Sequence, residues 1–211
     1  MFLEIELKLS LRPEDTAQFY AHPIIAQATQ VPETTHLISR YFDTPQLTLW
    51  QNGLSLRIRE AEGRTIQTLK SRGQQIGDLH HRHEWDQPVP GTQLEIEAFN
   101  DAEVVKTLRQ LLSHQPLIEL FYTSFQRTQW NLSVGQDTQV ELVLDQGAVH
   151  TAFRQSPIHE IELELKQGDE QQLYTLAAQL KETIPLLLET RSKAERGYTL
   201  YMEEPLSTTK A

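Results

Sequence analysis

The sequence predicts an α+β domain that is mainly β, with about eight antiparallel strands closed or nearly closed into one barrel and a few flanking helices. Three observations predict it. Runs of alternating apolar and polar residues recur along the chain, and Asn-Gly, Glu-Gly and other Gly-containing turns divide them into hairpins. The polar faces of those runs carry full charges sorted by sign, rather than the Thr, Ser and Gln of a merely solvated sheet. With 211 residues, 38% of them hydrophobic and 23% charged, the chain can bury one substantial core, and no Pro/Gly-rich tract or fixed-period repeat marks a second domain.

The first run, from Leu3 to Leu9, alternates strictly, so the strand period of two puts Glu4, Glu6 and Lys8 on one face and Leu3, Ile5, Leu7 and Leu9 on the other. Pro13 followed by Glu14 and Asp15 has the form of a helix start, because proline suits the first helical position and acids suit the N-terminus; the helix is expected to run to about residue 27. Strands are expected over 36–42, 54–60, 65–71 and 81–85. Asn100 or Asp101 can cap a helix through Leu112, after which 123–132, 138–144 and 159–166 resume the strand pattern. Asp169 is placed to cap a helix to about residue 183, and Ser192-Lys193-Ala194-Glu195 has the form of a capping box, which starts a last short helix at Lys193. Residues 203–211 read as a flexible tail.

Charge and composition exclude several classes. A net charge of -10, from 19 Lys+Arg against 29 Asp+Glu, argues against nucleic acid or an anionic membrane as a partner, so an anionic ligand must be held locally. With no cysteine there is no disulfide, zinc-thiolate site or thiol catalysis. Met1 to Lys8 lacks the apolar run of a signal peptide and no later stretch reaches membrane-spanning length, so the expected location is the cytoplasm.

Acidic faces occur at Glu4/Glu6, at Glu141/Asp145 and at Glu160/Glu162/Glu164; basic faces occur at Arg57/Arg59, at Lys70 and around Arg127. Carboxylates at every second position repel unless a cation sits among them, and hard oxygen ligands suit Mg²⁺ or Mn²⁺, which marks Glu4, Glu6, Glu160 and Glu162 as a candidate metal site. Paired guanidinium groups match phosphate oxygens, which marks Arg57 and Arg59 as phosphate ligands. Metal-binding carboxylates on one wall and Arg/Lys on the other are what phosphoryl transfer requires. A single pair such as Glu95/Glu97 reads best as a solvated sheet face; it is the whole set that points inward. His80, His81 and His83 are read as surface histidines rather than a transition-metal site, and Trp50, Trp85 and Trp130 as core or barrel-end residues.

These residues resemble a known superfamily. Glu4-Ile5-Glu6-Leu7-Lys8 has the Glu-x-Glu-x-Lys form of the CYTH, or triphosphate tunnel metalloenzyme, proteins. In order follow Tyr41-Phe42-Asp43-Thr44-Pro45, Leu56-Arg57-Ile58-Arg59, Thr68-Leu69-Lys70, Arg82-x-Glu84, Arg127, Glu141 with Asp145, Glu160-Ile161-Glu162-Leu163-Glu164 and Ser192-Lys193-x-x-Arg196-Gly197-Tyr198. The resemblance covers nearly the whole chain and implies an eight-stranded antiparallel tunnel over residues 1–202 with a C-terminal plug helix. It also implies roles: Glu4, Glu6, Glu160 and Glu162 as metal ligands with Asp145 contributing; Lys8, Arg57, Arg59, Lys70, Arg127 and Lys193 gripping a triphosphate, with Arg82 and Arg196 as further candidates; and Glu4, Glu6 and Lys8 as the catalytic signature. Leu144-Asp145-Gln146-Gly147 and the Ser192–Tyr198 segment are most similar to the N-terminal domain of bacterial inorganic triphosphatases. Those proteins continue into a helical CHAD domain, so the chain is expected to be either a stand-alone form or a domain of a longer parent. The implied reaction is metal-dependent hydrolysis of inorganic triphosphate to pyrophosphate and phosphate. Class IV adenylate cyclase-like or thiamine/nucleoside triphosphatase chemistry, and a non-enzymatic polyphosphate-binding module, are the alternatives. The His-Phe extension of class IV adenylate cyclases is missing before Glu4. Monomer and dimer stay open.

Overall fold

The computed structural model describes residues 1–204. Its ten strands are β1 (Phe2–Ser10), β2 (Glu33–Asp43), β3 (Leu54–Ala61), β4 (Arg64–Ser71), β5 (Gln74–Ile76), β6 (Leu79–Pro88), β7 (Ile118–Val134), β8 (Thr138–His150), β9 (Gln155–Gln167) and β10 (Leu187–Leu188). The sheet order is β10-β1-β9-β8-β7-β2-β3-β4-β6-β5, and a further β1–β6 pairing closes eight of the strands into a barrel with β5 and β10 as outriggers. Every pairing is antiparallel. The expected eight-stranded barrel is therefore present. β1 is the keystone: Glu4 lies opposite Arg82 on one side of it, and Glu6 opposite Glu164 on the other.

Barrel and helices divide the apolar residues between three clusters. On the outside, α1 (Thr16–Tyr20) and α4 (Gln171–Thr183) cover β1, β8 and β9: Leu7, Leu9, Leu142, Leu144, Ile161 and Leu163 pack with Phe19, Leu173, Leu176, Ala177 and Leu180. α3 (Ala102–Leu112) covers β3 and β4 through Val104, Leu108 and Leu112 against Leu56 and Leu69. Each such fully buried side chain contributes roughly 1.5–3 kcal/mol. The alternation in β1 and β3 is thus apolar-out and charged-in, the reverse of an ordinary sandwich, because the helices supply the hydrophobic cover and leave the interior polar. The third cluster sits within one end of the barrel, where Tyr198 of α5 (Lys193–Met202) meets Leu37, Tyr41, Phe121, Phe125, Val149 and Ile158. This helix is the expected plug. Gly197 lets it in: a Cβ there would lie 2.0 Å from an atom of the Phe121 ring.

Caps fall where the sequence places them. Asp101 accepts the amides of Glu103 and Val104, and Ser192 and Glu195 form the reciprocal capping box of α5. Asp169 accepts the amide of Gln171 at 2.9 Å, although the helix proper starts one residue later than that cap implies, with Glu170 at the cap position.

The N-terminal helix expected from Pro13 to about residue 27 is a correction. It is broken into a 3₁₀ turn (Pro13–Asp15), α1 and a second 3₁₀ turn (Ile25–Gln27), because Pro23 can neither donate the helical hydrogen bond nor tolerate a helical residue before it. β7, β8 and β9 run well past their expected ends; the extra residues pair with one another, Tyr122 with His150 and His150 with Gln155. The short α2 (Thr48–Gln51), β5 and β10 are additions to the expected elements. Of the expected tail, the Glu204 carboxylate accepts the Phe153 amide at 3.0 Å, and 205–211 lie outside the described residues.

Candidate active site

The barrel encloses a cavity of about 220 Å³. Glu4, Glu6, Lys8, Arg57, Arg59, Lys70, Arg82, Arg127, Glu162 and Lys193 all line it. Asp145 and Glu160, the remaining expected site residues, are buried in the wall behind Lys193 and reach the cavity through it. The strand period and antiparallel register bring this about: Glu4 faces Arg82, Lys70 faces Glu84, and Arg127 faces Asp145, each pair directly opposite across neighbouring strands.

Two ion-pair networks result. On the β1, β4 and β6 wall, Lys70 reaches Glu4 at 2.9 Å and Glu84 at 2.6 Å, Arg82 bonds Glu4 and reaches Glu6 at 2.6 Å, and Lys8 reaches Glu6 at 2.9 Å. Burial would raise the Glu4 carboxyl, but Lys70 and Arg82 outweigh it and hold Glu4 well below the ordinary carboxylate range; Arg82 and Lys8 do the same, less strongly, for Glu6. On the β7, β8 and β9 wall, the Lys193 ammonium lies 2.6 Å from Asp145, 2.5 Å from Glu160 and 2.9 Å from Glu162. Arg127 binds Asp145 with two nitrogens, at 2.8 and 2.6 Å, and Glu162 at 2.6 Å. Arg196 closes the set on Glu160 at 2.7 Å.

Three of the five expected metal ligands cluster tightly. Asp145, Glu160 and Glu162 each offer a carboxylate oxygen within 4.8 Å of the others, a spacing and donor chemistry that fit a hard divalent cation. Glu4 and Glu6 stand on the adjoining strand, where Lys8 lies directly opposite Glu162, and they are tied to Lys70, Arg82 and Lys8. The fit passes a physical test, because a cation, the Lys193 ammonium, already sits at the focus of the three.

Arg59 stands apart from both networks, and Arg57 joins the first only through Glu84. Arg59 donates to the Ser39 hydroxyl at 2.8 Å and has no carboxylate partner among the described residues, while burial and the neighbouring Arg57 and Arg127 pull its guanidinium down. One terminal nitrogen of Arg57 pairs with Glu84 at 3.6 Å, while its Nε is buried with no partner. Guanidinium groups that repel one another in a closed cavity are relieved by an anion with several oxygens.

Sequence reasoning did not assign Glu84, Tyr41 or the Glu164–Lys166 pair, all of which line the cavity. Glu84 follows Arg82 by two and Glu164 follows Glu162 by two, so the strand period was the available signal. Burial pushes the Glu164 carboxyl up to about 7 despite Lys166 at 2.7 Å. Its folded value therefore exceeds the unfolded one, and the native state holds the extra proton between about pH 4.5 and 7. Stability from this group is full below that window and is lost as pH rises through it. Glu164→Gln is expected to remove that loss, so that the wild-type-minus-variant difference in denaturation midpoint changes between pH 5 and pH 7.5; a difference independent of pH would refute the assignment.

The histidines alternate. His80 faces inward, beside a small hollow adjoining the cavity, whereas His81 lies 3.6 Å from Glu170 and His83 is exposed, so the three do not converge on one ion and His80 and His81 are half-buried. Trp130 is core, Trp85 donates to Asp101 at 3.0 Å, and Trp50 stacks on Tyr198 at 4.4 Å with the Arg72 guanidinium 5.3 Å from its ring centre. Both expected placements, core and barrel end, occur.

A closed eight-stranded tunnel, charged within and plugged by a C-terminal helix, defines a class, and residues 3–198 match the CYTH domain: the chain belongs to that family. It is 32% identical over 205 residues to the inorganic triphosphatase of Haemophilus influenzae, covering 95% of this chain and 55% of that protein, so it spans about half the length of this curated relative. Among solved structures, a Hippeastrum protein described as an adenylyl cyclase with dominant triphosphatase activity superposes with a TM-score of 0.68 at 19% identity, over 93% of this chain and 95% of the other. A Bacillus halodurans protein described as a candidate adenylate cyclase gives 0.60 at 22% identity, over 93% and 98%. These two likenesses concern the fold. No helix among the described residues is long and apolar enough to cross a membrane.

Proposed function

We propose that this chain hydrolyses inorganic triphosphate to pyrophosphate and phosphate with a divalent metal ion, Mg²⁺ or Mn²⁺. The observation that carries the reading is the meeting, around one cavity, of Arg59, which has no carboxylate partner among the described residues, and Arg57, whose Nε is buried and unpaired, with the three-carboxylate cluster of Asp145, Glu160 and Glu162. The kinship with an inorganic triphosphatase supports the choice of substrate.

In this reading Arg57 and Arg59 bind phosphate oxygens directly, joined by Lys8, Lys70, Arg82, Arg127 and Lys193 as their carboxylate partners give them up. Asp145, Glu160 and Glu162 would hold the metal; when bound there it would polarise phosphate oxygens and lower the pKa of a water. Glu4 and Glu6, on the strand beside β9, hold Lys70 and Arg82 in place and offer further carboxylates to a metal ion. The barrel wall buries most of each of these side chains, so their charges act at a lower dielectric than in water. No covalent nucleophile is needed. The esters of the alternative readings need a surface for a base: Trp50, in the small hollow beside α5, is already engaged by Tyr198 and Arg72, and the exposed aromatic ring lining the cavity is Phe2.

Phosphate release from tripolyphosphate, pyrophosphate, ATP and thiamine triphosphate, each with Mg²⁺, Mn²⁺ or EDTA, tests this. The expected result is release from tripolyphosphate that EDTA abolishes, with the other three substrates far slower. Turnover confined to an ester would replace the substrate, and binding without turnover would make the tunnel a polyphosphate-binding module.

A further inference from the structure

The cavity continues past the plug helix. A hollow of about 40 Å³ lies beside the first turn of α5, and Ser55, Lys70, Arg82, Ser192 and Ala194 line both it and the cavity of about 220 Å³, so the two are continuous. At roughly 10–15 Å³ for each water, the hollow has room for about three, which suits one tetrahedral oxyanion and is too little for a chain of two. Its outer rim is the exposed Arg72. This residue sits in the irregular junction between β4 and β5, where strand period gives no indication that it belongs to a site. The Arg72 guanidinium lies 5.3 Å from the centre of the Trp50 ring, donates to the Trp50 carbonyl at 3.0 Å and has no carboxylate partner among the described residues. Trp50 is a fixed platform, since Asp43 accepts its amide at 2.9 Å and Tyr198 stacks on its ring at 4.4 Å. A guanidinium held on an aromatic ring keeps its edge donors free for oxygens, and because it is already immobilised it loses little entropy on binding. Farther in, the His80 Nε2 is buried with no partner. Glu195 is the one acid among the described residues that line the hollow, and its carboxylate is turned onto the Ser192 amide at 2.6 Å. With Arg72 outside and Lys70 and Arg82 inside, the hollow favours an anion.

We propose that this hollow is a site for a single small oxyanion, orthophosphate, with Arg72 as its outer ligand, and that the smaller product of hydrolysis leaves through it past α5. Tyr198 and its neighbours fill the rest of that barrel end, so nothing larger can follow. A phosphate freed beside Lys70 and Arg82 meets its next positive charge at Arg72, whereas pyrophosphate must return by the end of the barrel where Phe2 is exposed. The exit role rests on the reading of the cavity as a triphosphate site; the affinity for an oxyanion rests on the hollow alone.

The experiment is titration of the ¹⁵N-labelled full chain with inorganic phosphate, read at the tryptophan indole resonances, with the cavity first filled by an imido-bridged, non-hydrolysable analogue of tripolyphosphate. The Trp50 resonance is expected to shift and saturate with phosphate while the analogue stays bound, and those of Trp85 and Trp130, which do not line the hollow, to stay in place. Arg72→Gln is expected to weaken the phosphate response by about tenfold or more, as the loss of a charge-assisted donor implies. A shift that vanishes once the analogue fills the cavity, or that persists unweakened in Arg72→Gln, would overturn the inference; if Arg72→Gln does not fold, the competition with the analogue decides alone. Inhibition of tripolyphosphate turnover by orthophosphate is expected to weaken by about tenfold in the same variant, and unchanged inhibition would overturn the exit role. A saturable shift in a protein that releases no phosphate from tripolyphosphate would keep the oxyanion site and discard the hydrolase, and release without the shift would do the reverse.

Discussion

Glu162→Gln is expected to lower kcat/KM for tripolyphosphate by about 100-fold or more, the range seen when a preorganised charge or a metal-orienting partner is removed. Of the three clustered carboxylates it is the one that also lines the cavity, and it engages Lys193 through one oxygen and Arg127 through the other. Burial opposes its ionisation, but Lys193, Arg127 and Lys8 hold it well below the ordinary range, so it is charged throughout the pH range of any assay. Glutamine keeps the volume and one acceptor, removing the charge alone. Glu97→Gln, whose carboxylate pairs with Arg109 on the exposed surface, should leave turnover unchanged and serves as the matched control. Full EDTA-sensitive turnover by Glu162→Gln, with native circular dichroism, would remove this cluster from the mechanism.

The largest stability effect is expected at Asp43, which makes no ion pair of its own among the described residues. Its fully buried carboxylate accepts the amides of Thr44 at 2.7 Å, Leu49 at 2.8 Å and Trp50 at 2.9 Å, and the Tyr198 hydroxyl at 3.0 Å. One side chain therefore closes the turn after β2, starts α2 and pins the plug helix across the barrel end. Asp43→Ala strands four donors, and at about 1–3 kcal/mol for each group left without a partner, partly relieved by relaxation, a loss of about 3–5 kcal/mol follows. That is a large share of the roughly 5–15 kcal/mol that holds a domain together and amounts to a fall in Tm on the order of 10 °C. Tyr198→Phe, which deletes one of the four bonds, should cost about 1 kcal/mol. Thermal melting separates these, and an Asp43→Ala midpoint equal to that of wild type would show that water replaces the network.

Asp43 also shows where the sequence is legible and where it is not. Tyr41-Phe42-Asp43-Thr44-Pro45 stands out as a motif, yet nothing in the run says that its acid faces three backbone amides and a hydroxyl 155 residues away. Period and charge sorting are enough to turn Glu4, Arg57, Lys70 and Glu162 toward one interior, because a strand leaves no choice of face. They are not enough to say which carboxylate meets which cation, since that depends on register between strands distant in sequence. Hence pattern alone groups Glu4 and Glu6 with Glu160 and Glu162, while only the register shows Glu4 opposite Arg82, Lys8 opposite Glu162 and Lys193 on the Asp145 cluster. The break in the N-terminal helix is legible in Pro23 and is masked by a convincing start at Pro13. β5 and β10, three and two residues long, carry too little pattern to announce themselves.

The keystone position of β1 has a consequence for how the chain comes to its final form. This strand can be seated only between β6 and β9, with Glu4 opposite Arg82 and Leu9 opposite Ile161, so roughly three quarters of the domain must exist before both of its neighbours are in place. Until then Ile5, Leu7 and Leu9 on its outward face have no α4 to cover them, and both long edges of the strand are open to pairing with other chains. Ring closure is a late, non-local event, and the nascent domain must be kept from aggregating through β1 while it waits for β9 and α4.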